Sequence, residues 1–362
     1  MNVIVLTARF GMGHYKVAEA IKEDMEAGNS SVNVKVIDFM SFLFPRFNGL
    51  IYKGYDKLVF KNSRLYNAIG KVSNDVKGIP MKFVVASRVS KLIKDSQADV
   101  VIVAFPLCSQ YISEYKKLTG DTIPMYTCIT DIPAHTEWIA EETNLYFISS
   151  EETREMLLQR GVDQQKIVVT GIPVRKEFKD PEADLQDTGK KNILVMGGGL
   201  GLLPGGDLLL NRLSELENVQ VTLVAGKNEE LRADMSRRYP GFETIGFTDK
   251  IGELMKRADA IVTKPGGVTL SEAVHTGTPL YIVNPFLLQE IGNAKFIEKH
   301  HIGRVVWKEE DATADDIEKF VCDDAALKEM KQNMADMVRE YSQHDMASEI
   351  DYDLDGEVLK CS

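Results

Sequence analysis

The sequence predicts an α/β protein made of two doubly wound parallel sheets in tandem, each with helices on both faces. Two observations lead there. Apolar strand-like runs alternate with helix-like stretches along the chain, and the alternation restarts after a turn-rich interruption. A chain of 362 residues, 44% hydrophobic and 27% charged, also suits two ordinary globular domains better than one large core.

Taken in order, NVIVLT (2–7) is a buried-strand run, His14 to Ala27 has helical spacing, and VKVIDF (34–39) is a second strand. DVVIVA (99–104), IPMYTCIT (123–130) and NLYFISS (144–150) continue the series, with a helix from Glu152 to Arg160. Pro173, Pro181 and Gly189 punctuate the charged stretch from Gly171 to Lys191, which marks a linker. Strands resume at NILVMGGG (192–199), VQVTLVAG (219–226), FETIGF (242–247), DAIVTK (259–264) and PLYIVN (279–284). The expected domains are therefore 1–172 and 191–340 around a linker at 173–190. An acidic tail follows at 341–362, its last helix a candidate to cross back to the first domain. Two such sheets are expected to face a central cleft, with ligands at the carboxyl ends of the strands.

Composition narrows the function. MNVIVLTARF lacks the basic n-region and small-residue cleavage site of a signal peptide, and no apolar stretch approaches the roughly 20 residues of a spanning helix. Cys108, Cys128, Cys322 and Cys361 are scattered without a Cys-x-x-Cys pair, which argues against a zinc site or disulfide framework and for a reducing cytoplasm. The net charge of −11 conceals a segregation: Phe42 to Lys94 carries +9, and Glu309 to Ser362 carries −12. In the basic stretch, Phe42, Phe44, Arg46, Phe47, Tyr52, Lys53 and Lys57 interleave aromatic and cationic side chains. Such an amphipathic element suits an anionic bilayer surface, although a core helix pair with a charged outer face has the same pattern.

Glycine gathers at three strand ends: Gly11-Met12-Gly13-His14, Gly197-Gly198-Gly199-Leu200-Gly201 and Lys264-Pro265-Gly266-Gly267. Backbone amides at such turns, helped by a helix N-terminus, suit a phosphate. Any one alone is accounted for by a tight strand-to-helix turn. Lys16 stands where a dinucleotide fingerprint needs its third glycine, and no P-loop motif occurs, so a nicotinamide enzyme and a P-loop NTPase are disfavoured. Asp351-Tyr-Asp353-Leu-Asp355-Gly356 begins like a calcium loop, but Ser362 stands at the twelfth position in place of glutamate, and the segment reads as a solvated acidic tail.

Lys264-Pro-Gly-Gly-Val-Thr-Leu-Ser-Glu272-Ala, then Gly277-Thr-Pro279 and Asn284-Pro-Phe-Leu-Leu-Gln289-Glu290-Ile-Gly-Asn293-Ala, resembles the donor half of the monogalactosyldiacylglycerol synthase and processive diacylglycerol glucosyltransferase family. A more distant similarity is to the lipid II N-acetylglucosaminyltransferase. Gly11-x-Gly13-His14 and Thr130-Asp131 leading to His135 and Trp138 resemble the diacylglycerol enzymes, and the likeness runs from Asn2 to about Val306. It implies a GT-B fold of two Rossmann-like domains and an inverting hexosyltransferase. The donor would be UDP-glucose or UDP-galactose and the acceptor diacylglycerol, at the cytoplasmic face of the cell membrane, with no metal strictly required and no nucleic-acid partner.

The resemblance also implies roles. Gly198, Gly199, Leu200 and Gly201 would offer amides to the diphosphate, and Lys264, Pro265, Gly266, Gly267 and Thr269 would form the facing turn. Glu272 would accept the ribose hydroxyls, Phe247 would lie by the uracil, and Gln289, Glu290 and Asn293 would face the sugar. His14 would be the general base, with Asp131 orienting it or serving as an alternative base. Gly13, His135 and Trp138 would shape the acceptor mouth, and the basic aromatic segment would meet the membrane. Two alternatives stay open: N-acetylglucosaminyl transfer to a polyprenyl-linked acceptor, and a non-catalytic UDP-sugar sensor.

Overall fold

The computed structural model describes residues 1–10, 12–50, 52, 54, 81–132, 135–180, 189–197 and 206–361. The chain divides into two compact units, Met1–Arg175 with Glu340–Ser362, and Lys176–Arg339.

The first unit carries β1 (Asn2–Thr7), α1 (Gly13–Gly28), β2 (Asn33–Asp38), α2 (Phe39–Leu43) and α3 (Lys82–Ser96). It continues with β3 (Val100–Val103), α4 (Pro106–Thr119), β4 (Met125–Cys128), β5 (Leu145–Ile148), α5 (Glu151–Gln159) and β6 (Ile167–Val169). Its parallel sheet has the order β2-β1-β3-β4-β5-β6. Val3 pairs with Val34 on one side and Val100 on the other. Strands covered on both faces need apolar side chains at every position, and β3, β4 and β5 are buried throughout. Helix starts follow local chemistry: Pro106 opens α4, and the Ser150 hydroxyl accepts from the Thr153 amide at the start of α5.

The second unit carries α6 (Lys176–Lys179), β7 (Lys191–Met196), α7 (Gly206–Ser214), β8 (Val219–Val224), α8 (Glu229–Arg238), β9 (Glu243–Ile245) and α9 (Ile251–Arg257). After these come β10 (Ala260–Thr263), α10 (Gly267–Thr276), β11 (Leu280–Val283), α11 (Leu288–Lys299), β12 (Gly303–Val306), α12 (Ala314–Cys322) and α13 (Asp324–Tyr341). Its parallel sheet has the order β12-β11-β10-β7-β8-β9. The centre of β7 packs with β8, β10 and α7 in one core built on Ile193, Val195, Leu210, Leu223 and Val262. Close strand packing explains Gly303: a Cβ there would lie 2.3 Å from the Leu280 carbonyl oxygen on β11.

Three expectations need correction. Part of the linker is ordered as α6, with Phe178 fully buried and the Glu177 carbonyl accepting from Lys256 Nζ at 2.6 Å; residues 181–188 lie outside the described residues. The acidic segment expected as a solvated tail is helix α14 (Met346–Cys361), and, as the domain reading anticipated, it crosses back to the first unit. Ile350 on it is fully buried, and Asp353 accepts from the Tyr126 hydroxyl at 2.9 Å and from Asn144 at 3.4 Å. Its acidic side chains give it the composition of a solvated tail, yet one apolar face suffices to dock it. Of the aromatic residues expected at the membrane, Phe42, Phe44 and Tyr52 pack against the core around Phe39 and Leu43. Phe47 is 61% and Leu50 75% exposed and Arg46 is exposed, while Lys53 and Lys57 lie outside the described residues. The core demand for apolar volume beneath α2 claims three of the four aromatic residues.

Candidate active site in the N-terminal unit and anion-binding turn in the C-terminal unit

In the first unit the strand order reverses between β1 and β3, which opens a crevice at their carboxyl ends, the usual ligand position in a doubly wound sheet. His14, in the first turn of α1 directly after β1, sits there half-buried. Phe105, at the end of β3, meets its ring edge-on at 5.1 Å and stacks on Phe10 at 5.4 Å, and Trp138 lies 6.1 Å from it. Gly13 begins α1, and Gly11 lies outside the described residues.

The loop after β4 supplies the polar partners. Thr130, buried, places its hydroxyl oxygen 2.8 Å from His14 Nδ1. Asp131 does not reach His14 by a hydrogen bond. Its Oδ2 accepts from the Trp138 indole at 2.8 Å and stands 3.3 Å from His135 Nε2. Burial alone would raise the Asp131 carboxyl, but His135, the charge of His14 and the indole together hold it below its ordinary value. Burial depresses His14, with Asp131 opposing and His135 adding to the shift, so the imidazole is neutral at physiological pH. His135 is desolvated too, yet Asp131 and Glu137 outweigh this and raise it. Trp138, expected at the acceptor mouth, is instead fully buried in a core with Ile129, Tyr146 and Leu157, because its indole serves the Asp131 carboxylate. His135 keeps partial exposure beside the crevice.

Beside this crevice Asp38, at the end of β2, accepts the Tyr52 hydroxyl at 2.5 Å and the Ser41 hydroxyl at 2.7 Å. The Arg9 amide donates to Tyr52 at 3.2 Å, and its guanidinium lies 3.6 Å from Asp38 and 4.6 Å from the Tyr15 ring centre. Desolvation and the bond to Asp38 push the Tyr52 phenol far up, so it stays protonated and donates. The β1–α1 loop is thereby fastened to the start of the aromatic segment.

In the second unit the order reverses between β7 and β10. Gly198, Gly199, Leu200 and Gly201, which follow β7 in the sequence, lie outside the described residues. The turn after β10 is described in full. Pro265 is buried, Gly266 caps α10 in extended conformation, and Gly267 opens that helix, so first-turn amides point out of the strand end. Lys264 is partly buried, with Nζ 5.1 Å from the Phe286 ring centre; desolvation lowers its ammonium, and the charge of Glu290 only partly opposes this. Thr269 is half-buried on the first turn and Glu272 buried one turn further on.

The α11 residues have structural duties as well. Glu290 is buried and caps its own helix, accepting from the Phe286 and Leu287 amides at 3.3 and 3.2 Å. Asn293, also buried, donates to the Pro265 carbonyl at 2.7 Å and so ties α11 to the turn, while its Oδ1 has no partner. Gln289 is exposed, and Phe247 is 59% exposed with Lys227 Nζ 5.3 Å from its ring centre. Sequence reasoning did not assign roles to Thr130, Phe105 or Phe10. Phe105 had a usable signal, since it stands between a strand and a proline that opens a helix; Thr130 belongs to the Thr130-Asp131 pair of the resemblance, but no local pattern points to its partner, which is distant in the chain.

Residues 14–174 match the family described as monogalactosyldiacylglycerol (MGDG) synthase, and residues 192–350 match the glycosyltransferase family 28 C-terminal domain. A processive diacylglycerol beta-glucosyltransferase of Bacillus licheniformis is 31% identical over 92% of this chain and 90% of its own. The protein of the same name from Bacillus subtilis is 29% identical over 93% and 91%. Among solved structures, the glycotransferase of kitacinnamycin superposes with a TM-score of 0.68 at 12% identity, covering 97% of this chain and 98% of that one. MurG of Acinetobacter baumannii gives 0.58 at 17% identity over 98% of both chains. This likeness in fold, with the two six-stranded parallel sheets, establishes the GT-B class expected from the sequence. Matched along nearly its whole length by these enzymes, the chain belongs to the family of monogalactosyldiacylglycerol synthases and processive diacylglycerol beta-glucosyltransferases.

Proposed function

We propose that this protein transfers a hexose from a UDP-sugar to the free hydroxyl of diacylglycerol, with inversion, to give a β-glycosyldiacylglycerol. Glucose is the hexose favoured over galactose, because the relatives are named beta-glucosyltransferases. The observation that carries the reading is His14, neutral and half-buried at the switch point of the first sheet, in an aromatic pocket made by Phe10 and Phe105. That setting suits an apolar substrate with one reactive hydroxyl. His14 takes the hydroxyl proton as the oxygen attacks the anomeric carbon, and the bond from that carbon to the diphosphate breaks with its electron pair on the leaving group. The amides opening α10 and the Lys264 ammonium receive that charge, an electrostatic device set before the reaction. A divalent ion is not required in this scheme, and chelation should leave the rate unchanged.

Among the described residues no helix is long and apolar enough to cross a membrane. Attachment is proposed to be peripheral, at the cytoplasmic face, through Arg46, Phe47 and Leu50 and the basic stretch that follows. The test is a mass-resolved product assay with UDP-glucose, UDP-galactose and UDP-N-acetylglucosamine over diacylglycerol vesicles. A glycosyldiacylglycerol formed by the wild type and lost in His14→Ala, with UDP binding kept, supports the reading. Product only with a polyprenyl-linked acceptor, or UDP binding without turnover, refutes it. Vesicle binding indifferent to anionic lipid and to salt refutes the attachment.

A further inference from the structure

The partner that orients a catalytic histidine decides which ring nitrogen is free to act, since the neutral ring carries one proton and one lone pair. Here the partner at Nδ1 is a hydroxyl, while the Ala104 backbone carbonyl also acts on the ring and favours its charged form. Thr130 Oγ1 is 2.8 Å from His14 Nδ1, and Thr130 is buried, held by β4, whose next backbone amide, Ile129 N–H, donates to the Phe147 carbonyl at 2.8 Å. The neighbouring carboxylate is committed elsewhere: Asp131 Oδ2 holds the Trp138 indole and faces His135.

We propose that Thr130 is the positioning residue for His14, its hydroxyl oxygen accepting the Nδ1 proton so that the Nε2 lone pair is left to receive the proton of the incoming hydroxyl. The inference rests on His14 being the base and adds what fixes its tautomer. Were the hydroxyl to donate to Nδ1 instead, the ring proton would sit on Nε2 and that nitrogen could not accept. The titratable groups acting on His14 are Asp131 and His135. Asp131 supports the imidazolium through charge without touching it, so the roles of orienting the ring and of balancing its charge fall to different residues. Phe105 and Trp138 restrict the remaining freedom of the ring.

Two measurements test this. Long-range proton–nitrogen correlation spectra of the full chain should show His14 protonated on Nδ1 at neutral pH; an Nε2–H tautomer overturns the proposal without reference to activity. Kinetically, Thr130→Val, which keeps shape and removes the hydroxyl, should lower kcat about tenfold to a hundredfold with KM for the UDP-sugar within about twofold, the size expected for losing a hydrogen bond to a group that becomes charged. It should also move the acid limb of the kcat profile to lower pH, because the charged ring loses a hydrogen-bond acceptor, and Thr130→Ser should restore most of the rate. Full activity in Thr130→Val beside a dead His14→Ala overturns the positioning role and leaves the base intact. An active His14→Ala overturns the base itself, and retained UDP binding in each variant excludes misfolding.

Discussion

Gly171→Ala is expected to destabilise the first unit by about 2–5 kcal/mol, from two separable causes. Gly171 has φ +72°, where an alanine costs about 1–2 kcal/mol. A Cβ there would also lie 2.6, 2.9 and 3.0 Å from Cδ2, Cγ and Cε2 of Tyr341, well inside the roughly 3.5–4.0 Å of comfortable carbon contact. The ring cannot yield easily, because Tyr341 packs on the cluster around Trp138 and Leu157. Forcing it aside adds about 1–3 kcal/mol, typical of overpacking. Urea unfolding followed by the fluorescence of buried Trp138, in a Trp307→Phe background, reads this unit specifically, since Trp307 belongs to the other and is 39% exposed. In a Tyr341→Ala background the steric part should vanish and only the backbone part remain. A cost below about 1 kcal/mol, or the same cost with and without Tyr341, refutes the argument.

Other perturbations address the two sites and the returning helix. Lys264→Met should weaken UDP binding about tenfold to a hundredfold by calorimetry, and unchanged affinity would remove Lys264 from the diphosphate site. The acid limb of kcat should lie below 6.5, because burial depresses His14 and a base active when neutral then survives to lower pH; a midpoint at or above 6.5 contradicts this. His135 has a raised pKa, so its stabilising contribution is complete below the unfolded value of 6.5 and fades as pH rises through the folded value. The stability gap between wild type and His135→Gln should therefore be wider at about pH 6 than at about pH 9, and a flat gap is the refuting result. Ile350→Ala should cost about 2–5 kcal/mol in the Trp138-reported transition, and a cost near zero would mean that α14 is not docked in solution.

Strands buried on both faces were legible because four consecutive apolar residues have no other comfortable place, as Val100–Val103 and Leu145–Ile148 show. Their ends overshot: Ile123 and Thr130 continue the pattern of β4 but lie past its pairing with β3 and β5. The strands β6 and β12 escaped notice, one for its three residues, the other because Gly303 imitates a turn while serving close contact with Leu280. At the candidate site, the glycine-rich neighbours of His14 and Lys264 placed both at strand ends, where the structure has them. Trp138 was misplaced because an indole suits a substrate mouth and a buried hydrogen bond equally, and only the Asp131 contact separates them. The duties of Glu290 and Asn293 as cap and tie likewise depend on where α11 docks, information absent from any local window.

The return of α14 has a consequence for how the protein comes into being on the ribosome. Residues 176–339 form one uninterrupted stretch and can reach their final state as soon as they emerge. The unit begun first is finished last: the seat for Ile350 and the hydroxyl of Tyr126 must wait until everything through the second unit has been translated. During that interval the nascent first unit displays an apolar patch with no occupant, so a slowed or arrested ribosome would yield a complete second unit beside a first unit still seeking its closing helix.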